Sequence, residues 1–237
     1  MAKTLLFAAV IVLAGGAAFA RPASAEWFLD AYMGAALTPH QDVTLKGTLS
    51  GLAVDAKLHD VEFDTGISTG LRLGYWFPSV RLLGIGLDLS YFKPDISSQT
   101  VTPTGTLSDP RGKLLDQPLT AGTPVSIDRD IFHVIAFTPE LMLRLPLLAS
   151  AQFPTGRLQP YVLAGPAVFI SYLGGFNVQA NVGAKAGAGV SWQIVSGIAV
   201  FAEYQFTHFR PEYDADQVKL KLNVDTHHVL GGISFRF

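Results

Sequence analysis

Single charged residues recur inside apolar stretches of this sequence, where they alternate with hydrophobic side chains. The set that we assign to one common face consists of Asp30, Arg72, Asp88, Glu140, Arg144, Lys185, Glu203 and Arg236. Successive side chains of a β-strand point to opposite faces of a sheet, so this alternation predicts charges on one face and apolar side chains on the other. Glu62 and Asp64 continue the alternation that contains Arg72, and we expect them on the same face.

Two members of this set, Glu140 and Glu203, are carboxylates of the kind that act as general acid and base. Catalysis by such a pair needs a cleft that admits a substrate, and the sequence shows no sign of one. We therefore assign no catalytic residue and predict that the protein is not an enzyme.

Four histidines are placed near one end of the predicted strands: His133, His208, His227 and His228. Together with Asp225 they could bind zinc or copper, or orient a hydrolytic serine. The chain contains no His-x-His or HExxH spacing and no cysteine. Ser234 lies some 20 Å from His228, because a strand rises about 3.3 Å per residue. We expect polar side chains at an interface, and we predict neither a metal nor a cofactor.

The charged positions belong to eight segments with a period of two. These segments are 26–37, 61–77, 80–92, 130–145, 157–173, 177–194, 198–208 and 219–237. The fifth contains Pro160 and Pro166, which cannot donate to a β-ladder and leave its register undefined. Short turns are expected at Pro78-Ser79, Val195-Ser196 and Gly174-Gly175, a longer one at 147–155, and long loops at 38–60, 93–129 and 209–218.

The first 25 residues have the features of a cleaved export signal. Lys3 supplies the positive charge, 5–14 form an apolar core, and Ala23-Ser24-Ala25 is an A-x-A cleavage site. We therefore expect a signal peptide at 1–25 and one mature domain at 26–237. The apolar run from Leu5 to Ala20 is shorter than the roughly 20 residues of a spanning helix, and no later window is longer, so a helical membrane protein is excluded.

Export and alternation together predict a transmembrane β-barrel. An open sheet in lipid would leave unpaired backbone groups at its edges, so the eight strands must close on themselves. The predicted fold is all-β: an eight-stranded antiparallel transmembrane β-barrel with an up-and-down meander, in the bacterial outer membrane, with lipid outside and a polar lumen inside. Loss of Lys3 and Arg21 reduces the 17 basic residues to 15 against 19 acidic ones, which gives no indication of nucleic-acid binding.

Several motifs resemble the OmpA/OmpX-like family of eight-stranded outer-membrane barrels. They are WFLDAYMG at the start of the mature chain, RLGYWF, QPYVLAG, AEYQFTHF and the final THHVLGGISFRF. The resemblance implies that Ile233, Phe235 and Phe237 form a signal for the barrel assembly machinery. Unlike full-length OmpA, this sequence shows no peptidoglycan-binding domain after the strand, so we do not expect a cell-wall tether.

Two classes of function follow from this prediction. An eight-stranded barrel is only wide enough to be filled by its own side chains, which favours a structural plug and a role in membrane integrity or surface interactions. The alternative is a narrow channel for small solutes, opened when a pair of Lys185 or Arg72 with a carboxylate breaks, and an outer-membrane enzyme is a distant third. The loop at 93–129 contains five prolines and is the predicted site for an extracellular ligand.

Overall fold

The structure, a computed structural model, describes residues 26–49, 52–108, 117–119, 124–174, 177–215 and 218–237. The predicted signal peptide lies outside these residues. The described strands are β1 (Glu26–Leu37), β2 (Gln41–Leu49), β3 (Leu52–Val61), β4 (Gly66–Trp76), β5 (Leu83–Phe92), β6 (Gln99–Val101), β7 (Pro103–Ser108), β8 (Gln117–Leu119), β9 (Val125–Ile127), β10 (Phe132–Arg144), β11 (Leu158–Leu173), β12 (Gln179–Val195), β13 (Ile198–Phe209), β14 (Glu212–Ala215), β15 (Val218–Leu222) and β16 (Val224–Arg236).

Eight of these strands close into a barrel. The order around it is β1, β16, β13, β12, β11, β10, β5 and β4, and all neighbouring strands are antiparallel. Each barrel strand therefore pairs with the next one along the chain, and the last pairs with the first, as the predicted fold class requires. The barrel has a turn end, with Glu26 and the connections after β4, β10 and β12, and a loop end, with the connections after β1, β5, β11 and β13. The described residues contain no helix that is long and apolar enough to cross a membrane.

The predicted strands agree with the barrel strands except at some ends. β4 begins at Gly66 and not at Val61, because Val61 ends a separate strand, β3. The turn before β5 covers 77–82 and is longer than Pro78-Ser79. β11 stays continuous from Leu158 to Leu173, with Pro160 opposite Val190 and Pro166 opposite Ala184. The connection expected at Gly174-Gly175 lies partly outside the described residues.

The segments predicted as long loops contain strands, which corrects that expectation. A six-stranded sheet at the loop end has the order β14, β15, β2, β3, β7 and β8. The first five follow the barrel order β13, β16, β1, β4 and β5, and β8 is added beside β7, so the sheet continues the barrel wall beyond these strands; we name it the wall extension. The reason is again period two, because Val43, Val54, Ala56 and Leu222 face inward and are buried.

The outward face of the barrel is apolar over the middle of every strand. Large hydrophobic side chains that point outward and stay exposed include Met33, Ile67, Leu71, Leu87, Leu89, Ile135, Phe137, Leu141, Val168, Ile170, Val190, Val200, Val229 and Ile233. Towards the loop end this surface changes to paired tyrosines and histidines, and towards the turn end to Trp27 and Tyr75, whose ring centroids lie 4.9 Å apart. Trp76, at the same end of the barrel, points inward and is buried.

Candidate functional site in the barrel interior

Arg72 is the centre of the polar interior. It lies on β4 directly opposite Asp30 on β1 and Asp88 on β5, so three adjacent strands bring opposite charges together. Its guanidinium is fully buried, donates to carboxylates from β1, β10 and β13, and forms an ion pair with a carboxylate on β5. The contacts are Nε to Glu140 Oε2 (2.8 Å), Nη1 to Asp30 Oδ2 (3.2 Å), Nη1 and Nη2 to Glu203 (3.0 and 2.8 Å), and an ion pair of Nε with Asp88 Oδ2 (3.6 Å).

Lys185 is the second buried cation that contacts these carboxylates. Its Nζ donates to Asp88 Oδ1 at 2.5 Å and lies 3.2 Å from Glu140 Oε1. Tyr32 donates from its hydroxyl to Asp88 Oδ2 at 2.6 Å, and Tyr161 donates to Glu203 Oε2 at 2.5 Å. Each carboxylate therefore has at least one cationic partner, which is the condition under which charges tolerate burial.

A second cluster closes the turn end of the lumen. Arg144 on β10 holds both oxygens of Glu26 on β1, at 2.9 and 2.6 Å, and Arg236 on β16 donates to Glu26 Oε1 at 2.9 Å. Gln159 Oε1 accepts from both arginines. The Arg144 guanidinium also lies 4.3 Å from the centre of the Trp76 ring, within cation–π distance. These contacts tie strands from opposite sides of the barrel across its interior.

All eight residues of the predicted charged set lie inside the barrel, but in two clusters. Arg72, Lys185 and four carboxylates form the upper one, and Arg144 and Arg236 belong to the lower one. Glu26 was missed, although it shares the parity of Asp30 and the alternation could have included it. The assignment of Glu62 and Asp64 to the lumen was wrong, because β4 begins only at Gly66: Glu62 is exposed, and Asp64 pairs with Arg129 at the loop end.

Little free space remains between the two clusters. A cavity of about 20 Å³ lies there, lined in part by Asp30, Tyr161, Ser234 and Arg236. Asp30 Oδ1 and Arg236 Nε, both buried, have no hydrogen-bond partner among the described residues. A site of this size has room for about one water molecule, which an acceptor and a donor could hold. The cavity is far too small for a continuous water column.

An apolar layer fills the barrel between the upper cluster and the loop end. Its buried residues are Ala36, Val43, Val61, Phe92, Ile96, Phe132, Val134, Ala136, Ala167, Phe169, Leu173, Phe209, Tyr213, Leu222 and Val224. The rings of Phe169 and Phe209 stack with centroids 4.4 Å apart. Part of this set comes from the wall extension, whose apolar face packs over the barrel mouth. The sequence reasoning missed this layer, which sits where a polar lumen was expected.

Interior aromatic side chains lie directly opposite glycines on neighbouring strands. The pairs are Phe28 with Gly74, Tyr32 with Gly70, Trp76 with Gly84, Tyr161 with Gly189 and Phe201 with Gly232. At each glycine, an added Cβ atom would collide with the ring of its partner. Small and large residues thus alternate across the strands, which allows side chains to fill most of the narrow interior.

The histidines do not form a metal site. His208 contacts Asp225 and His227 contacts Tyr204, each at 2.5 Å, whereas His133 lies 2.7 Å from the Tyr91 hydroxyl. These outward residues occupy the loop-end border of the apolar surface. His228 points inward and lies 3.1 Å from both Ser68 and Thr207. No group of three or more His, Asp or Glu side chains in the described ranges is arranged to hold a metal ion.

Comparison with known proteins identifies the fold but no closer relationship. No protein-family model matches the chain, and no curated protein sequence does so. The crystal structure of the outer membrane protein OprG from Pseudomonas aeruginosa is 14% identical, with a TM-score of 0.53, and the match covers 90% of this chain and 97% of that one. Neisserial surface protein A (NspA) is also 14% identical, with a TM-score of 0.50 and coverage of 89% and 97%. Both are similar to this chain in fold, and the eight-stranded barrel is confirmed. The narrower OmpA/OmpX-like resemblance stays a prediction.

Proposed function

We propose that the protein is a bacterial outer-membrane barrel with a closed interior, whose role is structural and lies in interactions at the cell surface. The observation that carries this proposal is the filled lumen. The lower cluster, the upper cluster and the apolar layer follow one another from the turn end to the loop end. A solute would have to break several buried ion pairs and then pass a stack of aromatic rings.

The outward face supports the position in a membrane. Exposed Leu, Ile, Val and Phe side chains cover the strands, and the charged side chains of the barrel strands point inward, apart from Asp225 near the loop end. In water such a continuous apolar surface would favour association, whereas in lipid it is the expected lining. Tyr91, His133 and Tyr172 stack at the border on one side of the barrel, which is typical of interfacial aromatic belts.

The wall extension is the surface on which we place the interactions. Its outer face carries alternating charges on neighbouring strands, including ion pairs of Lys46 with Asp55 (2.9 Å) and of Lys57 with Asp42 (2.7 Å). Lys57 holds the pKa of the Asp42 carboxyl below its usual range. A ligand that binds through 93–129 would meet a supported sheet, since β7 pairs with β3. This sheet gives the segment a rigid base for recognition.

Two further partners belong to the same proposal. Outer-membrane lipid would surround the apolar band, and the barrel assembly machinery would recognise Ile233, Phe235 and Phe237. Ile233 points outward and is about half exposed, and the backbone of Phe237 exchanges two hydrogen bonds of 3.0 Å with Trp27. The last residue thereby pairs with the first strand. A recognition step at this residue would act where the barrel closes.

Conductance in planar lipid bilayers tests the proposal. Purified protein is reconstituted at increasing concentration, with a general porin as a positive control for insertion. We expect no unitary conductance steps from the folded barrel. Reproducible steps of one size would contradict the closed interior and support the narrow channel instead. Density-gradient separation of cell envelopes tests the location, since recovery with the inner membrane would contradict it.

A further inference from the structure

The turn end carries a second surface whose composition differs from that of the loop end. Its three described connections, 77–82, 145–157 and 195–197, contain Arg81 and Arg157 and no acidic residue. The loop-end segments 38–65, 93–131 and 210–225 contain nine basic and fourteen acidic residues. The charges of the two ends therefore have opposite signs.

Apolar side chains stay exposed on the same connections. Val80 and Leu82 lie on the turn before β5, and Leu145, Leu147 and Leu148 follow β10; exposure reaches 61% at Leu148. β5 and β10 are neighbours in the barrel, so the two connections lie side by side. This patch continues the apolar outward face of Leu143 and Ile85 past the ends of the strands. An apolar surface of this kind on a turn is costly in water.

The two arginines are available for an anion. The Arg157 guanidinium lies 4.9 Å from the centre of the Trp192 ring, and its Nε donates to the Gln193 carbonyl at 3.3 Å. Glu26 is the nearby carboxylate of the turn end, and it pairs with Arg144 and Arg236 inside the lumen. Among the described residues, neither Arg81 nor Arg157 has a carboxylate partner. Stacking on an aromatic ring holds the Arg157 charge at the rim.

We propose that the turn end is an interfacial anchor, in which Val80, Leu82, Leu145 and Leu148 enter the headgroup region of the leaflet and Arg81 and Arg157 bind the phosphates of anionic phospholipids. This inference rests on the proposed position of the barrel in a membrane. Apolar side chains next to basic ones, without acidic neighbours, are the combination that fits an anionic lipid interface. The acidic loop end lacks this combination, so the protein recognises the two leaflets differently.

Single-cysteine labelling tests the position of the anchor. The chain has no cysteine, so Leu148→Cys, Leu141→Cys and Thr106→Cys each accept one environment-sensitive dye. In phosphatidylcholine nanodiscs we expect the dye at 148 to be protected from acrylamide, like the mid-barrel control at 141 and unlike the wall-extension control at 106. Quenching at 148 equal to that at 106 overturns the anchor. Quenching at 141 as well would overturn the membrane position itself, so the two failures are distinguishable.

Lipid selectivity tests the charge. Spin-labelled phosphatidylglycerol and phosphatidylcholine are compared for association with the folded barrel. We expect up to about a fivefold preference for the anionic lipid per arginine, because a basic residue near an anionic surface contributes about 1 kcal/mol and 1.4 kcal/mol corresponds to a factor of ten. The variant Arg81→Gln/Arg157→Gln should lose the preference, Arg81→Lys/Arg157→Lys should keep it, and Arg210→Gln at the loop end should leave it unchanged. An equal preference in the glutamine variant and the unmodified protein overturns the proposal.

Discussion

At the residue scale, the upper cluster depends on two cations, Arg72 and Lys185, each with several carboxylate partners. Lys185 holds Asp88 and Glu140, whereas Glu203 belongs to Arg72, Tyr161 and Gln205. The sequence does not distinguish Glu140 from Glu203 as a partner of Lys185, and in the structure it is Glu140 that Lys185 contacts. Alternation fixes which face a side chain occupies. It does not fix which of several carboxylates a long flexible lysine reaches.

Replacing Lys185 with alanine should destabilise the barrel strongly. Asp88 and Glu140 would keep Arg72 as their only described cationic partner, and removal of one member of a buried pair costs about 3–5 kcal/mol. Urea unfolding in lipid vesicles measures the change. Lys46→Ala is the matched control, since its pair with Asp55 is exposed and contributes about 0–1 kcal/mol. A loss below about 1 kcal/mol in Lys185→Ala, together with altered conductance, would mean that Lys185 lies in a hydrated pore.

Two adjacent glycines test the packing of the interior. In Gly232→Ala the new Cβ would collide with the Phe201 ring and lie 2.6 Å from the Ala31 carbonyl oxygen, so we expect a loss of about 1–3 kcal/mol. Gly231→Ala points outward, and its nearest neighbour would be the Phe201 carbonyl oxygen at 3.9 Å. This control should change stability by less than about 1 kcal/mol. Equal unfolding midpoints for the two variants would argue against a tightly filled lumen.

At the scale of elements, the barrel strands were predictable and the wall extension was not. β1 was predicted with its observed ends because its apolar and polar faces differ along all twelve residues. β2, β3 and β15 also alternate, but β2 contains Gly47 and β15 has only five residues and ends before Asn223. β2 pairs locally with β3 and β15 with β14, but the pairing of β15 with β2 spans more than 160 residues. Only the closed barrel brings these segments together.

The sequence analysis also did not predict the apolar layer, because the pattern of one strand does not show where its terminal aromatic residues lie. Phe132, Phe169 and Phe209 occupy inward positions near the loop ends of three strands. An aromatic residue at the end of an alternating segment is consistent with an interfacial position as well as with the interior. The register between strands decides between the two. That register depends on side-chain packing between strands, and the sequence pattern of one strand carries no information about this packing.

The attachment of the wall extension should weaken in alkaline solution. Tyr213 on β14 points from the wall extension into the apolar layer, where it is buried and its hydroxyl donates to Ser171 Oγ at 2.7 Å. Burial raises the pKa of Tyr213 to about 12. The folded protein therefore binds more protons than the unfolded chain between about pH 10 and 12, so stability falls as pH rises through this window. Limited proteolysis of the extension, measured across this range, checks the loss.

Tyr213→Phe is the matched variant for this effect. It keeps the ring in the apolar layer but has no group to ionise, so its proteolysis should depend much less on pH between about 10 and 12. The same variant loses one hydrogen bond, a cost of about 0.5–1.5 kcal/mol that is independent of pH in this range. An unchanged alkaline sensitivity in Tyr213→Phe would assign the effect to another group.

At the scale of the whole molecule, barrel closure and assembly meet at Phe237. Its deletion removes two backbone hydrogen bonds to Trp27 but none of the interior charges. We expect the truncated protein to fold in detergent with a stability close to that of the full chain, and to accumulate poorly in the outer membrane of cells. Phe237→Ala removes the ring but keeps the two backbone hydrogen bonds to Trp27, so it distinguishes the contribution of the side chain from that of backbone pairing. Normal insertion of both variants would contradict an assembly role for this residue.

The wall extension stands on only part of the barrel circumference. It continues β13, β16, β1, β4 and β5, and its sixth strand, β8, follows β7 in the direction of β10, while the connection between β11 and β12 contributes no described strand to this sheet. β2 alone has nine residues, which corresponds to about 30 Å along the strand at about 3.3 Å per residue. A neighbouring protein thus meets a tall side or a low side, depending on its direction of approach. In a crowded membrane this difference in height makes the sides of the barrel unequal. A neighbouring protein would therefore contact one side of the barrel in preference to the others.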